Sequence, residues 1–393
     1  MKKIKLMNKI AKCGTDRFSS YNYEYNENIL SPDAVMVRSA DMHNYDFGDE
    51  LKAIARAGAG TNNIPLEECA EKGIVVFNTP GANANAVKEL VICGMLLSCR
   101  DIIGGINWVH SSCGEADITK LIEKEKSRFA GTELFGKTLG IIGLGAIGGF
   151  LANAAVSLGM NVLGFDPYIS VDAAWKISGL VKKVDSREEI FKNSDFISLH
   201  TPLIADNNPK INTKHMINKN SIAMMKDGAV ILNFARDALV NDDDMELALN
   251  SGKLRRYVTD FPNIKTADMN GVIAIPHLGA STEESEENCA VMAANELINY
   301  LEFGNIKNSV NYPDVEMPRS DGQRLVILHK NIPNMISHIS SAFSSRNINI
   351  ENMLNRSRGN YACTLVDILT DVNDSIISYI KKVDGIIRVL KIK

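Results

Sequence analysis

Short apolar runs alternate with helix-like stretches along most of the chain. This alternation is typical of parallel β-sheets built from strand–helix–strand units. The first units predict strands over 34–37, 51–57 and 74–77, followed by a helix that begins near Ala84. A second set of units begins at Lys137 and has the form of two mononucleotide-binding halves. Its predicted strands are 138–142, 161–165, 196–199, 229–233, 256–260 and 272–275.

The two ends of the chain have different patterns. The Tyr- and Asn-rich run 21–28 is interpreted as an exposed loop. Near the other end, Ser-Thr-Glu-Glu at 281–284 predicts a capped helix over 282–302. Glycine, asparagine and proline residues over 304–322 then indicate a linker. Beyond it the order strand, helix, strand, strand, helix, strand predicts a small separate α/β module over 323–393.

The segment Gly143–Gly148 has the sequence Gly-Leu-Gly-Ala-Ile-Gly and lies between a predicted strand and a predicted helix. The first glycine allows a tight turn, the second lets the backbone approach a pyrophosphate, and the third allows close packing of helix on strand. The unpaired N–H groups of the helix then face the phosphates. Asp166 closes the next strand, where a carboxylate accepts hydrogen bonds from a ribose 2′-hydroxyl and repels a 2′-phosphate. The sequence therefore predicts NAD rather than NADP as cofactor.

Polar residues follow three further strands of the same predicted sheet. His200 ends one strand, Arg236 follows another, and His277 follows a third within Pro276-His277-Leu278-Gly279-Ala280. Ligands of open α/β sheets bind outside the carboxyl ends of the strands. Arginine can hold a substrate carboxylate through two hydrogen bonds, and histidine can take or give a hydroxyl proton near neutral pH. The remaining histidines are interpreted as structural.

Composition excludes several classes of protein. The net charge of −4, from 43 basic and 47 acidic residues, gives no broad surface for nucleic acid. The uncharged stretch 139–165 is long enough to span a bilayer, but its glycines and polar residues favour strand, turn, helix and strand. Seven scattered cysteines without Cys-x-x-Cys spacing, and no secretory signal, favour a cytoplasmic protein that binds no membrane. With no His-Glu-x-x-His and no Cys/His cluster, we expect no metal site.

On these motifs and several others the chain resembles the D-2-hydroxyacid dehydrogenase family over nearly its whole length. The resemblance implies a flavodoxin-like substrate domain made of 1–98 and 282–310, with a Rossmann-like NAD domain, 99–281, inserted in it. The active site would lie in the cleft, and 311–322 would link this core to the βαββαβ module. The other motifs are Val37-Arg38-Ser39, Arg-Ala-Gly-Ala-Gly-Thr-Asn-Asn-Ile at 56–64, Asn-Thr-Pro-Gly at 78–81, Phe-Ala-Arg at 234–236, Asp-Phe-Pro at 260–262 and Pro-His-Leu-Gly-Ala-Ser-Thr at 276–282.

The resemblance also implies roles for individual residues. Arg236 would hold the carboxylate and carbonyl of a phosphorylated 2-hydroxy acid, and His277 would exchange the proton of its C2 hydroxyl. In this family a basic residue from the neighbouring subunit's arm also reaches the phosphate; Lys124, Lys126 and Arg128 are the candidates. The other implied substrate positions are Arg38, Ser39, Arg56 and Asn83. The cofactor positions are Gly143, Gly145, Ala146, Ile147, Gly148, Asp166, His200, Thr201, Pro202, Phe234, Ala235, Asp260, which would contact the nicotinamide carboxamide, Gly279 and Ala280.

One position departs from the family pattern. A glutamate that pairs with the catalytic histidine is expected at Ile264. Its loss should leave His277 less basic and less well oriented, since an anionic partner favours the protonated ring and fixes its tautomer. Asp268 and Glu283 are candidate replacements. An NAD(H)-binding regulatory protein whose chemistry has decayed remains an alternative to an enzyme.

The C-terminal module resembles an ACT domain, a regulatory fold that binds amino acids between paired copies. The matching positions for the effector L-serine are His329, Asn331 and Asn349, and Asn334 stands where the family has glycine. A purely structural dimerisation module is the alternative interpretation. Either way, we expect a homodimer or a homotetramer.

Overall fold

The computed structural model describes residues 1–371 and 374–392. The chain forms two compact units, one from residues 1–83 together with those from Glu283 onward, the other from 84–282. The strands are β1 (Lys2–Met7), β2 (Tyr23–Asn26), β3 (Ala34–Val37), β4 (Ala53–Arg56), β5 (Val75–Phe77), β6 (Thr138–Ile142), β7 (Asn161–Phe165), β8 (Lys182–Lys183), β9 (Phe196–Leu199), β10 (Ala229–Asn233), β11 (Leu254–Thr259), β12 (Val272–Ala274), β13 (Gln323–Lys330), β14 (Asn352–Arg358), β15 (Tyr361–Ile368) and β16 (Ile386–Ile392).

Helices connect most of these strands, and three short 3₁₀ segments lie at Asp16–Ser20, Lys126–Phe129 and Asp237–Leu239. The α-helices are α1 (Lys12–Thr15), α2 (Leu66–Glu71), α3 (Ala84–Cys99), α4 (Ile102–Ser111), α5 (Ile118–Glu125), α6 (Ala146–Ser157), α7 (Val171–Ala174), α8 (Arg187–Asn193), α9 (Lys219–Met224), α10 (Asp242–Asn250), α11 (Ile264–Ala267), α12 (Glu283–Phe303), α13 (Met335–Ser344) and α14 (Asp374–Ile380).

The first unit contains a five-stranded parallel sheet in the order β2-β1-β3-β4-β5. This is the flavodoxin-like order, as expected. The sequence did not reveal β1, and the prediction of an exposed loop over 21–28 was wrong, because 23–26 pairs with β1 as an edge strand. The tyrosines there are only half buried, so their pattern lacked the continuous apolar run of the inner strand β3.

The second unit contains a seven-stranded parallel sheet in the order β12-β11-β10-β9-β6-β7-β8. All six predicted strands are present in the Rossmann-like order, and the two-residue strand β8 is an addition. Every residue of β10 is buried, because helices cover both faces of the sheet. The uncharged stretch 139–165 forms β6, α6 and β7. Across the described residues, no helix is both long and apolar enough to cross a membrane.

Helix α3 belongs to the second unit, so the units divide at Asn83/Ala84, whereas we predicted a boundary at 98/99. The reason lies in packing. Val91 and Met95 of α3 share a hydrophobic core with Leu151 of α6 and Val258 of β11. Such contacts follow from tertiary structure and cannot be inferred from helical periodicity alone.

The C-terminal module has the predicted βαββαβ order and folds as an antiparallel sheet, β14-β15-β13-β16. Leu325 and Ile327 on one face of β13 pack on α13 and α14. Val326 and Leu328 on the other face join the core that contains α12. Tyr312 of the predicted linker is also buried in that core, so this segment is packed against the rest of the first unit.

A buried ion pair fixes the module. Arg324 of β13 donates two hydrogen bonds, of 2.7 and 2.9 Å, to the carboxylate of Asp367 in β15. Its remaining N–H groups bond the backbone carbonyls of Phe303 and Met317 at 2.9 Å and of Pro318 at 2.6 Å. One guanidinium therefore joins the sheet of the module, the end of α12 and the segment between them.

We expect Asp367→Ala to lower the free energy of unfolding by about 3–5 kcal/mol, because it leaves a buried guanidinium without a counter-charge. Urea unfolding followed by circular dichroism measures the change. Glu316→Ala, which removes an exposed partner of Lys307 in the same unit, is the matched control and should have little effect. Equal effects of the two substitutions would show that Arg324 does not anchor the module.

Candidate active site

The glycine segment forms a turn between β6 and α6 in the second unit. Gly143 has a φ of 96°, and a Cβ there would lie 2.5 Å from the carbonyl oxygen of His200. A Cβ on Gly148 would lie 2.0 Å from the carbonyl oxygen of Gly143. A Cβ on Gly145, in contrast, would meet nothing within 4 Å. Two glycines are thus required by the fold itself, while the middle one leaves open space at the N-terminus of α6.

Asp166 follows β7 and lies beside this turn. One of its carboxylate oxygens accepts a hydrogen bond of 2.8 Å from the N–H of Leu144, and the other accepts one of 2.9 Å from the N–H of Tyr168. These bonds fix the orientation of the carboxylate against the glycine turn. Each oxygen keeps a further lone pair, so the group can still accept hydrogen bonds from ribose hydroxyls.

The residues that follow β9 complete this part of the site. The ring of His200 shares a hydrogen bond of 2.8 Å between Nε2 and the hydroxyl of Ser198. Burial lowers the pKa of His200 to about 4, so the ring is neutral at pH 7. Among the described residues, neither Nδ1 of His200 nor the buried hydroxyl of Thr201 has a hydrogen-bond partner. Pro202 follows them in the chain.

Three side chains gather where β10, β11 and β12 end. The ring of Phe261 lies 4.4 Å from the ring of His277, centroid to centroid. The guanidinium of Arg236 lies 5.8 Å from the centroid of the same Phe261 ring. Arg236 is oriented by a hydrogen bond of 2.6 Å to the carbonyl oxygen of Ala235, which follows Phe234. The structure thus brings the two predicted catalytic residues together around Phe261, to which the sequence assigned no role.

Asp260 is the carboxylate associated with this group. The residue is 1% exposed, and its Oδ1 has no hydrogen-bond partner among the described residues. Burial raises the pKa of Asp260, while the charge of His277, the N–H of Gly279 and the charge of Arg236 act in the opposite direction. Ala280 follows Gly279 in the same turn. Asp260 is therefore a buried carboxyl group whose pKa responds to His277 and Arg236 within this unit.

Ile264, which stands where the family has glutamate, and the two candidate replacements, Asp268 and Glu283, lie in two different helices. Ile264 opens α11 and is 96% exposed. Asp268 caps the C-terminal end of the same helix and is exposed. Glu283 begins α12 in the first unit. The sequence analysis assigned Asp260 to the cofactor. It offered no signal that this residue also interacts with His277.

The predicted substrate residues lie in the first unit. Arg38 and Ser39 follow β3, and Arg56 ends β4, which pairs with β3. The Nε of Arg56 donates a hydrogen bond of 3.1 Å to the carbonyl oxygen of Arg38. Burial lowers the pKa of Arg56. Asn83 is the last residue of this unit before α3. Two cations thus meet at the carboxyl ends of neighbouring parallel strands.

The predicted effector residues lie at opposite ends of the sheet of the C-terminal module. His329 and Asn331 lie where β13 ends, near Tyr361, whereas Asn349 precedes the start of β14, which pairs with Asp367. Both ring nitrogens of His329 make hydrogen bonds, Nδ1 with the carbonyl oxygen of Lys330 at 2.8 Å and Nε2 with the hydroxyl of Thr364 at 2.9 Å. Asn331 donates to the carbonyl oxygen of Gly359 at 3.0 Å, and Asn349 is exposed. In place of the family's glycine, asparagine at position 334 adopts a φ of 68°, which asparagine tolerates better than most residues.

The chain is similar to several known proteins. Residues 93–279 match the family described as "D-isomer specific 2-hydroxyacid dehydrogenase, NAD binding domain". D-3-phosphoglycerate dehydrogenase of Methanocaldococcus jannaschii is 38% identical over 298 residues, which is 74% of this chain and 53% of that protein. The enzyme of the same name from Haemophilus influenzae is 32% identical over 351 residues, covering 86% of this chain and 80% of the relative. Hydroxypyruvate reductase of Thermotoga maritima is 37% identical over 276 residues, covering 67% of this chain and 83% of the relative.

A solved structure, NAD⁺-bound 3-phosphoglycerate dehydrogenase of Entamoeba histolytica, has a TM-score of 0.58 and 27% identity, and the match covers 79% of this chain and 98% of that one. The chain spans about half the length of the M. jannaschii relative and four fifths of the H. influenzae relative. It belongs to the D-isomer specific 2-hydroxyacid dehydrogenase family, a class of NAD-dependent oxidoreductases. The glycine turn and Asp166 fit NAD, which is the cofactor of this chain.

The glycine turn can be tested with two neighbouring substitutions in α6. Gly148→Ala places a Cβ 2.0 Å from the carbonyl oxygen of Gly143, so the turn must shift. We expect this change to weaken NADH binding roughly tenfold or more, equivalent to about 1.4 kcal/mol. Gly149→Ala, whose nearest contact would be an ordinary 3.7 Å, should leave NADH affinity unchanged. A fluorescence titration that gives the same affinity for both variants would contradict the assigned role.

Proposed function

We propose that the chain catalyses the NAD-dependent oxidation of 3-phospho-D-glycerate to 3-phosphohydroxypyruvate, the first step of serine biosynthesis. The observation that carries this proposal is the group of Arg236, Phe261 and His277, in the same sheet as a glycine turn suited to NAD. Two relatives named D-3-phosphoglycerate dehydrogenase, at 38% and 32% identity, support this choice of substrate.

In the proposed reaction, Arg236 binds the substrate carboxylate and the C2 oxygen through its planar guanidinium. His277 removes the proton of the C2 hydroxyl during oxidation and returns it during reduction. Phe261, packed against both side chains, fixes the plane of the imidazole. The carboxylate of Asp260 stabilises the positive charge that His277 acquires. NAD supplies the hydride chemistry at C2.

The first unit supplies the proposed phosphate contacts. Arg38 and Arg56 are the two cations. Ser39, which follows Arg38 in the chain, and Asn83 are the further proposed polar contacts. Of the arm residues proposed to reach the phosphate from a second subunit, Lys126 pairs with Glu123 and Arg128 pairs with Glu125. Within the described residues, Lys124 forms no ion pair. We therefore favour Lys124 as the arm cation.

A homodimer is supported by the surface of α4. No residue of this helix is buried, and Ile102, Ile106 and Val109, which share one face, are 40%, 53% and 41% exposed. Contiguous exposed apolar surface of this kind marks protein–protein contacts. The second subunit that the proposed arm contact requires would cover this face. A homotetramer would add a second interface.

The C-terminal module is proposed to resemble an ACT domain in function as well as in topology, with L-serine as a feedback inhibitor. Asn331 and Asn349 would contact serine. His329 already has hydrogen bonds at both ring nitrogens, so serine would have to replace one of them. The alternative is a module that only dimerises, and in that case serine would not change the rate.

A second candidate substrate is an unphosphorylated D-2-hydroxy acid. The hydroxypyruvate reductase of T. maritima, at 37% identity over 83% of its own length, favours it. An NAD(H)-binding regulatory protein without turnover is the third possibility, motivated by the hydrophobic residue at position 264.

NADH consumption with 3-phosphohydroxypyruvate and with hydroxypyruvate, each with and without L-serine, separates these alternatives. We expect a higher kcat/KM for the phosphorylated keto acid and inhibition by serine. Arg236→Ala and His277→Ala should each lower kcat/KM by about 10²–10⁴. Preference for hydroxypyruvate would favour the second candidate, and tight NADH binding without any turnover would favour the regulatory protein.

The residue at position 264 gives a prediction for how the rate of keto-acid reduction depends on pH. Reduction requires a protonated His277, so the rate falls as pH rises. A carboxylate near the ring favours its protonated form, and Ile264→Glu should therefore move this fall to higher pH, by up to about one pH unit. Ile264→Gln has a similar shape without the charge and serves as control. A pH–rate profile of Ile264→Glu that matches Ile264→Gln would show that this position does not act on His277.

A further inference from the structure

One of the two proposed phosphate-binding cations is already paired with a carboxylate of the same chain. Nη2 of Arg38 lies 2.6 Å from Oε1 of Glu286, which is on the first turn of α12. The two side chains are 40% and 42% exposed, so a ligand from solvent can reach the pair. Glu286 belongs to none of the motifs given in the sequence analysis.

The backbone of Arg38 is held without help from Glu286. The side-chain oxygen of Asn8 accepts hydrogen bonds from three successive N–H groups, those of Arg38 at 3.4 Å, Ser39 at 3.0 Å and Ala40 at 2.8 Å. The Nε of Arg56 binds the carbonyl oxygen of Arg38 at 3.1 Å. Removal of the Glu286 charge should therefore leave Arg38 in place with a free guanidinium.

Charge decides what replaces Glu286. The proximity of Arg38 lowers the pKa of Arg56, after the larger effect of burial, so the two cations repel each other. Glu286 relieves this repulsion with a single negative charge. A phosphate group carries between one and two negative charges near pH 7, with three acceptor oxygens, and can bind both cations at once. A phosphorylated substrate can therefore displace Glu286 from Arg38 where a group with less charge would not.

We propose that Glu286 is a specificity-determining residue that occupies Arg38 until the phosphate of the substrate displaces it. The proposal rests on the proposed function, in which Arg38 binds that phosphate. Glu286 acts through Arg38 and does not touch the reacting atoms. Its presence weakens the binding of phosphorylated substrate and leaves binding through the C1 carboxylate unaffected.

The test compares Glu286→Gln with the unsubstituted protein, measuring kcat and KM for 3-phosphohydroxypyruvate and for hydroxypyruvate. An exposed ion pair contributes up to about 1 kcal/mol, so loss of the competing carboxylate should lower the KM for the phosphorylated keto acid by up to about fivefold. The KM for hydroxypyruvate and both kcat values should stay unchanged. The Ki of inorganic phosphate as a competitive inhibitor should fall together with that KM.

Glu287→Gln is the matched control, because it removes the same charge from the next residue of α12, which is exposed and outside the pair. It should change neither KM. A Glu286→Gln variant with an unchanged or higher KM for the phosphorylated keto acid, or with both KM values lowered equally, would overturn the proposal.

Arg38→Gln separates this failure from failure of the proposed function. If Arg38→Gln raises the KM for the phosphorylated keto acid while Glu286→Gln leaves it unchanged, only the inference about Glu286 is wrong. If the unsubstituted protein shows no preference for the phosphorylated keto acid, the proposed function fails and the role of Glu286 fails with it.

Discussion

The chemistry of this protein depends on the meeting of parallel strand ends at one edge of the seven-stranded sheet. Parallel strands in register finish at the same edge, so residues far apart in sequence become neighbours there. Gly143 follows β6, Arg236 follows β10, and His277 follows β12. The glycine turn and the proposed catalytic side chains therefore lie along one edge of the sheet because of sheet topology, without any local motif that joins them.

Burial then sets the charge of each group at this edge. His200 is neutral because its ring is removed from water. Asp260 is also buried, and burial raises the pKa of its carboxyl group, while His277 and Arg236 act on that pKa in the opposite direction. In the first unit, Arg38 keeps its exposure and acquires a counter-ion, Glu286. The same residue types thus have different charge states and partners according to how much water reaches them.

The sequence predicted the order of the inner strands and the glycine turn, because continuous apolar runs and glycine spacing are local signals. It did not predict the edge strand at 23–26, because the half-buried tyrosines there give a sequence pattern typical of a loop. It placed the boundary at 98/99, whereas the contacts divide the chain before α3, since only packing against α6 reveals the partner of this helix. Phe261, Asn8 and Glu286 were missed for a similar reason: each makes its contact with a residue that is not adjacent in the sequence.

We propose that NAD binds at the sheet edge formed by the glycine turn and Asp166. Fluorescence titration of the full chain with NADH and with NADPH tests it most directly. The orientation of the Asp166 carboxylate predicts that NADH binds tighter by roughly tenfold or more, because a 2′-phosphate would meet a fixed negative charge. Equal affinities for the two dinucleotides, or tighter binding of NADPH, would contradict the account.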